Sequence, residues 1–355
     1  MKQLLLDQFS RYPKMELADM VKLVCQNEFA GGHIISSPEE SFKRLEAELK
    51  TMQPYKSVFP HLFEDIGNGL CRFHLAAMVP LGLEASTMNR LFVGTSRAVS
   101  GSMQSYRQKL RVLQQCCESG ALPFSPSEAG TYIKQAHTAK SCPLLSHSEA
   151  YREAYHPSYR VIKSTCSVYI EAFKKIDALL RHRSMVTVAV DGPSAAGKSS
   201  FAALLGEMYD CNIFHMDDFF LPPERKTARR LSEAGGNVDY ERFAKDVLAG
   251  LQSGKSFSYR PYSCKLNALG SPLHVTPKPL NIIEGVYSLH PSFSHHYDLK
   301  LFIDVSREEQ STRILQRNGA VMHRRFMQEW IPLENQYFGA FSIKNKCDII
   351  FLPNF

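Results

Sequence analysis

One stretch near the middle of the chain, residues 185–208, constrains the fold more than any other. It opens with Met185-Val186-Thr187-Val188-Ala189-Val190, a short β-branched run, and turns at Asp191-Gly192. It continues as Gly192-Pro193-Ser194-Ala195-Ala196-Gly197-Lys198-Ser199, which satisfies the pattern G-x-x-x-x-G-K-[ST]. Phe201, Leu204, Leu205 and Met208 then recur at helical spacing. Strand, loop and helix therefore stand in the order a phosphate cradle needs. The glycines let successive backbone N–H groups turn inward, and the helix N-terminus adds partial positive charge toward an anion. The expected nucleotide-binding set is Gly192, Ser194, Ala195, Ala196, Gly197, Lys198, Ser199 and Ser200. Lys198 is expected as an accessible cation reaching the β- and γ-phosphates, and Ser199 as a Mg²⁺ ligand. ATP and Mg²⁺ are the cofactors this pattern calls for.

The same rhythm extends through the C-terminal half. Short apolar runs at 211–216, 280–284, 299–305 and 347–352 alternate with helical or loop-like stretches. A helix carrying Cys166, Tyr169, Phe173, Ile176 and Leu180 leads into the first run. Short apolar strands alternating with helices predict an α/β fold, a parallel sheet sandwiched by helices. Residues 1–160 read differently. Leu17, Met20, Val21 and Val24 keep the helical period, as do Phe42, Leu45, Leu49 and Met52, and then Met103, Tyr106, Leu110, Leu113 and Cys117. Ser37-Pro38-Glu39-Glu40 predicts a capped helix start, with Glu40 closing a capping box. No strand pattern stands out there. At 355 residues the chain exceeds one core. The expectation is a mainly α-helical domain over 1–160 and an α/β domain over 161–355, with Pro143 and Pro157 interrupting the pattern near the join.

Acidic residues fall where strand ends should be. His215-Met216-Asp217-Asp218-Phe219-Phe220 closes the second run of the α/β half, and ligands bind outside the carboxyl ends of strands in open α/β sheets. Phosphorylating an alcohol needs a carboxylate to orient the hydroxyl and accept its proton. Asp217 is the candidate base, with Asp218 beside it; a pair of solvated loop acids is the plainer alternative. Glu284 ends the run Leu280-Asn281-Ile282-Ile283 and is the candidate to bind Mg²⁺, directly or through water, unless it is a salt-bridged strand-end acid. Arg313 and Arg317 stand four apart on a predicted helix, and Arg324 and Arg325 follow. Arginines so placed could close over phosphates and stabilise transition-state charge.

Composition excludes several classes. Net charge is +7, and 18 of the 42 basic and 15 of the 35 acidic residues lie in 1–160, so the excess is spread evenly. That argues against a nucleic-acid arm and fits a protein handling small anions. No run approaches a membrane span or a secretory core. Nine cysteines without a C-x-x-C spacing predict reduced, mostly buried thiols in a cytoplasmic protein.

Taken together, Gly192–Ser199, Asp217-Asp218-Phe219-Phe220, Asn237-Val238-Asp239, Glu284-Gly285 and the arginines from Arg313 resemble the uridine kinase and phosphoribulokinase family of P-loop kinases over about 185–355. The Asp-Asp-Phe-Phe wording is especially like nicotinamide riboside kinases. The resemblance implies Asp217 as catalytic base, Asp239 on ribose hydroxyls, and Arg313, Arg317 and Arg324 in a lid. One departure matters: uridine kinases usually have Pro-x-Tyr-Asp, and this chain reads Pro261-Tyr262-Ser263, keeping Tyr262 as a substrate contact without the acid. The implied activity is ATP-dependent phosphoryl transfer to a hydroxyl of a small molecule, a nucleoside first, with nicotinamide riboside, pantothenate or a sugar phosphate as other acceptors. A regulatory ATP binder is the rival from another class. The N-terminal half resembles nothing of known role, and it suggests altered substrate choice, regulation or assembly into a homo-oligomer. Its polar and aromatic stretches, His147 to Arg152 and Tyr155 to Arg160, could complete a substrate pocket at the domain interface or serve interdomain packing.

Overall fold

The computed structural model describes residues 1–31, 35–52, 62–138 and 145–352, so Pro143 lies outside the described residues. The chain divides into two compact units, Met1–Ile170 and Glu171–Phe355. The join falls ten residues later than the expected 160, because a strand at Tyr159–Lys163 is hydrogen-bonded into the first unit.

The first unit is mainly helical, and the predicted helices appear at Leu17–Phe29, Pro38–Thr51 and Met103–Glu118. Ser37 Oγ accepts from the Glu40 N–H and Pro38 takes the first helical position. The expected capping box does not close. Instead the Glu40 carboxylate accepts from the Ser36 hydroxyl and pairs with Arg44 one turn on. The unit also holds a sheet that the sequence did not announce: β1 (Phe63–Gly67), β2 (Leu70–His74) and β3 (Tyr159–Lys163), antiparallel in the order β1-β2-β3. β2 hides because it is buried at all five positions, so no alternation marks it. Inside lies a polar knot. Arg72, fully buried, pairs with Glu64 at 3.3 Å and donates to Gln26 and Gln8. Cys25 is disulfide-bonded, an exception to the expected reduced thiols; the seven other described cysteines are free.

The second unit is built on five parallel strands: β4 (Val186–Asp191), β5 (Cys211–His215), β10 (Leu280–Glu284), β11 (Leu299–Ile303) and β12 (Ile349–Phe351), in the order β12-β11-β4-β10-β5. Two short antiparallel ribbons intervene, β6 (Phe257–Tyr259) with β9 (Leu273–Val275) and β7 (Tyr262–Ser263) with β8 (Ala268–Leu269). β4 and β10 are buried at every position, as strands covered on both faces must be. Asn281 in β10 is tolerated there because Asn212 of β5 donates to its side-chain oxygen at 2.9 Å. The helix Lys198–Met208 lays Phe201, Ala202, Leu204, Leu205 and Met208 inward. This is a P-loop NTPase-type α/β fold, the class the sequence predicts. Among the described residues no helix is long and apolar enough to cross a membrane.

Candidate active site

The parallel order brings three strand ends together. β10 lies between β4 and β5, with Glu284 in register with Val190 on one side and His215 on the other. The phosphate loop leaves β4, Glu284 ends β10, and Asp217 and Asp218 follow β5 in a 3₁₀ turn. Residues up to 93 positions apart in sequence thus meet at one edge (284 less 191).

The loop is held from beneath by Asp191. Its fully buried carboxylate accepts from the N–H groups of Gly192 at 2.7 Å and Leu289 at 2.9 Å, and from the Tyr337 hydroxyl at 2.8 Å. Burial pushes its pKa up to about 6 despite these bonds. Gly192 adopts φ 143° and passes so close to β11 that a Cβ there would sit 2.0 Å from the Ile303 carbonyl oxygen, which leaves glycine as the residue that fits. Gly197 (φ 103°) and Ala195 (φ 62°) complete the inward turn of the loop amides.

Lys198 is not the accessible cation expected. It is 7% exposed and lies back across the loop, its Nζ donating to the carbonyls of Gly192 and Pro193 at 2.8 Å each. The two backbone oxygens satisfy the buried ammonium. Ser199 and Ser200 are exposed at the helix start. Ser199 Oγ donates to Glu284 Oε1 at 3.1 Å, so the two expected metal ligands are neighbours. His215 also binds this carboxylate, Nδ1 to Oε1 at 2.5 Å, and Glu284 raises the imidazole's pKa.

Asp217 reaches solvent, yet protein atoms crowd its carboxylate closely enough that desolvation raises its pKa. Lys198 opposes that rise and Glu284 adds to it. Asp218 is half-buried, accepts from the Tyr259 hydroxyl at 3.2 Å, and is likewise raised by desolvation. Arg242 braces the turn, donating to the Asp218 carbonyl at 2.6 Å and lying 4.3 Å over the Phe219 ring.

The remaining predicted residues separate into those at the site and those elsewhere. Arg313 reaches the loop, donating to the Ala195 carbonyl at 3.3 Å and to Glu309 at 2.7 Å. Arg317 donates to Asn318, and Arg324 is exposed beyond the break at Gly319 (φ 75°, ψ 170°); neither hydrogen-bonds the loop among the described residues. The break leaves Arg313 and Arg317 on one helical stretch and Arg324 beyond it. Asp239 is buried, with its carboxylate taken by Arg225 at 2.5 Å and by the Arg242 N–H it caps. Tyr262 is buried in its ribbon, its hydroxyl directed to Asn267. The tyrosine that touches the acidic pair is Tyr259, three residues earlier.

Sequence reasoning missed a contact at the centre of the loop. Glu334, 4% exposed, accepts from the Ser194 N–H at 3.0 Å and from the Ser194 hydroxyl, while Gln310 donates to the Ser194 carbonyl at 3.0 Å. Both arrive from distant helices, Ile331–Phe341 and Arg307–Arg325, with no motif to flag them.

No protein-family model matches the chain, and no curated protein matches it in sequence. Among solved structures, the chain is similar to a possible uridine kinase from Bacillus stearothermophilus, at 17% identity over 51% of this chain and 99% of that one, with a TM-score of 0.38. It is also similar to a D-glycerate 3-kinase from Cryptococcus neoformans, at 15% identity over 48% and 89% of the two chains and a TM-score of 0.33. A third, TT1252 from Thermus thermophilus, gives 16% identity over 49% and 91% and a TM-score of 0.27. At these TM-scores the likenesses carry no argument about the site.

Proposed function

We propose that the chain is an ATP-dependent kinase that transfers the γ-phosphoryl group to a hydroxyl of a small molecule. The observation that carries this reading is the convergence of Lys198, Ser199, Glu284 and Asp217 at one edge of the parallel sheet, with Ser199 and Glu284 hydrogen-bonded to each other. A nucleotide sensor needs the loop; it has no use for a crowded carboxylate beside it.

The oxygens of Ser199 and Glu284 are hard donors that suit Mg²⁺, which takes few protein ligands and completes its shell with water and phosphate oxygens. The metal would neutralise charge on the transferring group. The loop amides and the helix N-terminus would hold the β-phosphate, and Lys198 would leave the Gly192 and Pro193 carbonyls for the β- and γ-phosphates. Arg313, already beside Ala195, is the arginine nearest to that task. Asp217 would orient the acceptor hydroxyl and take its proton; a raised pKa makes it a better base at neutral pH than an ordinary aspartate. Asp218, held by Tyr259, would bind the acceptor's other polar groups. A nucleoside is the first acceptor to try, and nicotinamide riboside, pantothenate and sugar phosphates follow.

The test is ADP release from Mg·ATP with and without a panel of nucleosides, vitamins and sugars. Acceptor-dependent turnover is expected. ATP binding with silence toward every acceptor would leave a nucleotide-binding regulator in its place.

A further inference from the structure

The first unit contains its own cavity, of about 310 Å³, at the low end of volumes that take a small ligand. Its wall is lined by three cations, Lys22, Arg44 and Arg160, against one acid, Glu48. Phe92, Ile35 and Val161 supply an apolar side, and Gln26, Tyr159 and His147 supply polar atoms. From the segment His147 to Arg160, dense in polar and aromatic groups, four residues line this cavity: His147, Pro157, Tyr159 and Arg160.

Lys22 is the informative residue. Its Nζ donates to the Leu145 carbonyl at 2.7 Å and makes no ion pair among the described residues. Asp19, the carboxylate whose charge acts on Lys22, is consumed elsewhere: it accepts from His147 at 2.7 Å, from the Ser148 N–H and hydroxyl, and from the Glu16 N–H. Arg72 lies behind the wall, its charge pairing with Glu64. His147 adds no charge at neutral pH, since burial depresses its pKa to about 4, and Tyr159 stays protonated. Arg160 is held by Glu48 at 2.8 Å, and Arg44, at the mouth, by exposed Glu40. The wall therefore has a half-buried ammonium that binds one carbonyl and no carboxylate among the described residues, on the same cavity as two guanidiniums. Burying such a charge unpaired is costly unless a ligand compensates it.

We propose that this cavity binds a small organic phosphate monoester, its dianionic head on Lys22 and Arg160 and its apolar body against Phe92. Such a ligand would supply the missing partner of Lys22, and charge-assisted hydrogen bonds from ammonium and guanidinium are the strong ones. The site is separate from the phosphate loop, which belongs to the other unit.

The ligand also couples to protonation. Desolvation first, then the Arg72 charge, lowers Lys22 to about pKa 8, with Asp19 opposing. A dianion would raise it again, so binding above pH 8 must take up a proton.

The experiment is calorimetric titration of the full chain with phenyl phosphate, with benzoate and phenol as controls. The expected result is binding of phenyl phosphate that weakens about tenfold or more in Lys22→Met, persists in Lys198→Ala, and takes up protons at pH 8.5 in buffers of different ionisation heat. Arg160→Gln, a second variant, should weaken it likewise should Lys22→Met fail to fold. Loss in Lys198→Ala with retention in Lys22→Met and Arg160→Gln would place the phosphate on the loop and overturn the proposal. Equal affinity for benzoate, or no binding at millimolar phenyl phosphate, would overturn it as well.

Discussion

Glu334 holds Ser194 at two points, accepting from its backbone N–H and from its hydroxyl, so a buried carboxylate sits on the turn that would face a nucleotide's phosphates. Burial raises the pKa of this acid, with Lys198 opposing and Asp217 adding to the rise. A negative charge here and a polyphosphate are competitors. Glu334→Gln should keep the shape and tighten Mg·ATP binding by roughly 1 kcal/mol, about fivefold, the scale of a screened like-charge contact. Parent affinity should likewise tighten as pH falls toward the raised pKa and the repulsion is lost. An unchanged dissociation constant in Glu334→Gln at neutral pH would show that the contact is purely structural.

Lys198→Ala should abolish turnover. Because Lys198 is buried and ties two loop carbonyls, it should also cost about 1–3 kcal/mol of stability, the value of its charge-assisted bonds. Thermal melts alongside turnover measure both. Full activity in this variant would refute the loop assignment.

Asp217→Asn preserves size but cannot take a proton, so acceptor-dependent turnover should fall about 10²–10⁴-fold with ATP affinity nearly unchanged. Asp218→Asn should be milder. In the parent, the acid limb of the rate profile should lie above the ordinary aspartate value of about 3.9, since desolvation raises Asp217. A loss confined to Asp218→Asn would transfer the base role to that residue.

Gly192→Ala places a methyl against the Ile303 carbonyl at a φ that side chains rarely adopt. The expected cost is about 2 kcal/mol or more, read as a lower melting temperature of the second unit. A melt indistinguishable from the parent would mean that β4 and β11 can separate at little cost.

The first unit should weaken in acid. His74 and His147 are buried with pKa values lowered to about 4 by desolvation, against 6.5 in the unfolded chain. The unfolded chain binds more protons between those values, so stability is full above pH 6.5 and is lost as pH falls toward 4, by up to about 3 kcal/mol for each histidine. Below that, Asp19 and Glu64, whose pKa values are lowered, surrender their stabilisation as they protonate. Denaturant melts at pH 7, 5.5 and 4 measure this; a flat profile would contradict the buried neutral imidazoles.

The division between what was legible and what was not follows from the range of each interaction. The strand 186–191, the loop and the helix 198–208 could be read because a local pattern encodes them: β-branched residues, glycines at forced angles, apolar residues at helical spacing. The ends of β5 and β10 could be read for the same reason, and with them Asp217 and Glu284. In the sheet β1-β2-β3, β2 is buried throughout with no alternation to see, and its pairing with β3 joins residues about ninety apart; the β1–β2 hairpin does carry a local signal, the turn at Asn68-Gly69, which went unread.

By itself, then, the sequence determined the α/β architecture of the second unit and the residue types at its strand ends, because backbone geometry and periodicity act over a few residues. Only the tertiary structure decided which of those residues meet. It set Glu284 against Ser199, brought Glu334 and Gln310 to Ser194, turned Tyr259 rather than Tyr262 toward Asp218, and committed Asp239 to Arg225. Those pairings depend on strand order and helix packing, where buried polar groups must find partners wherever the chain happens to pass, and nothing local to either partner specifies the other.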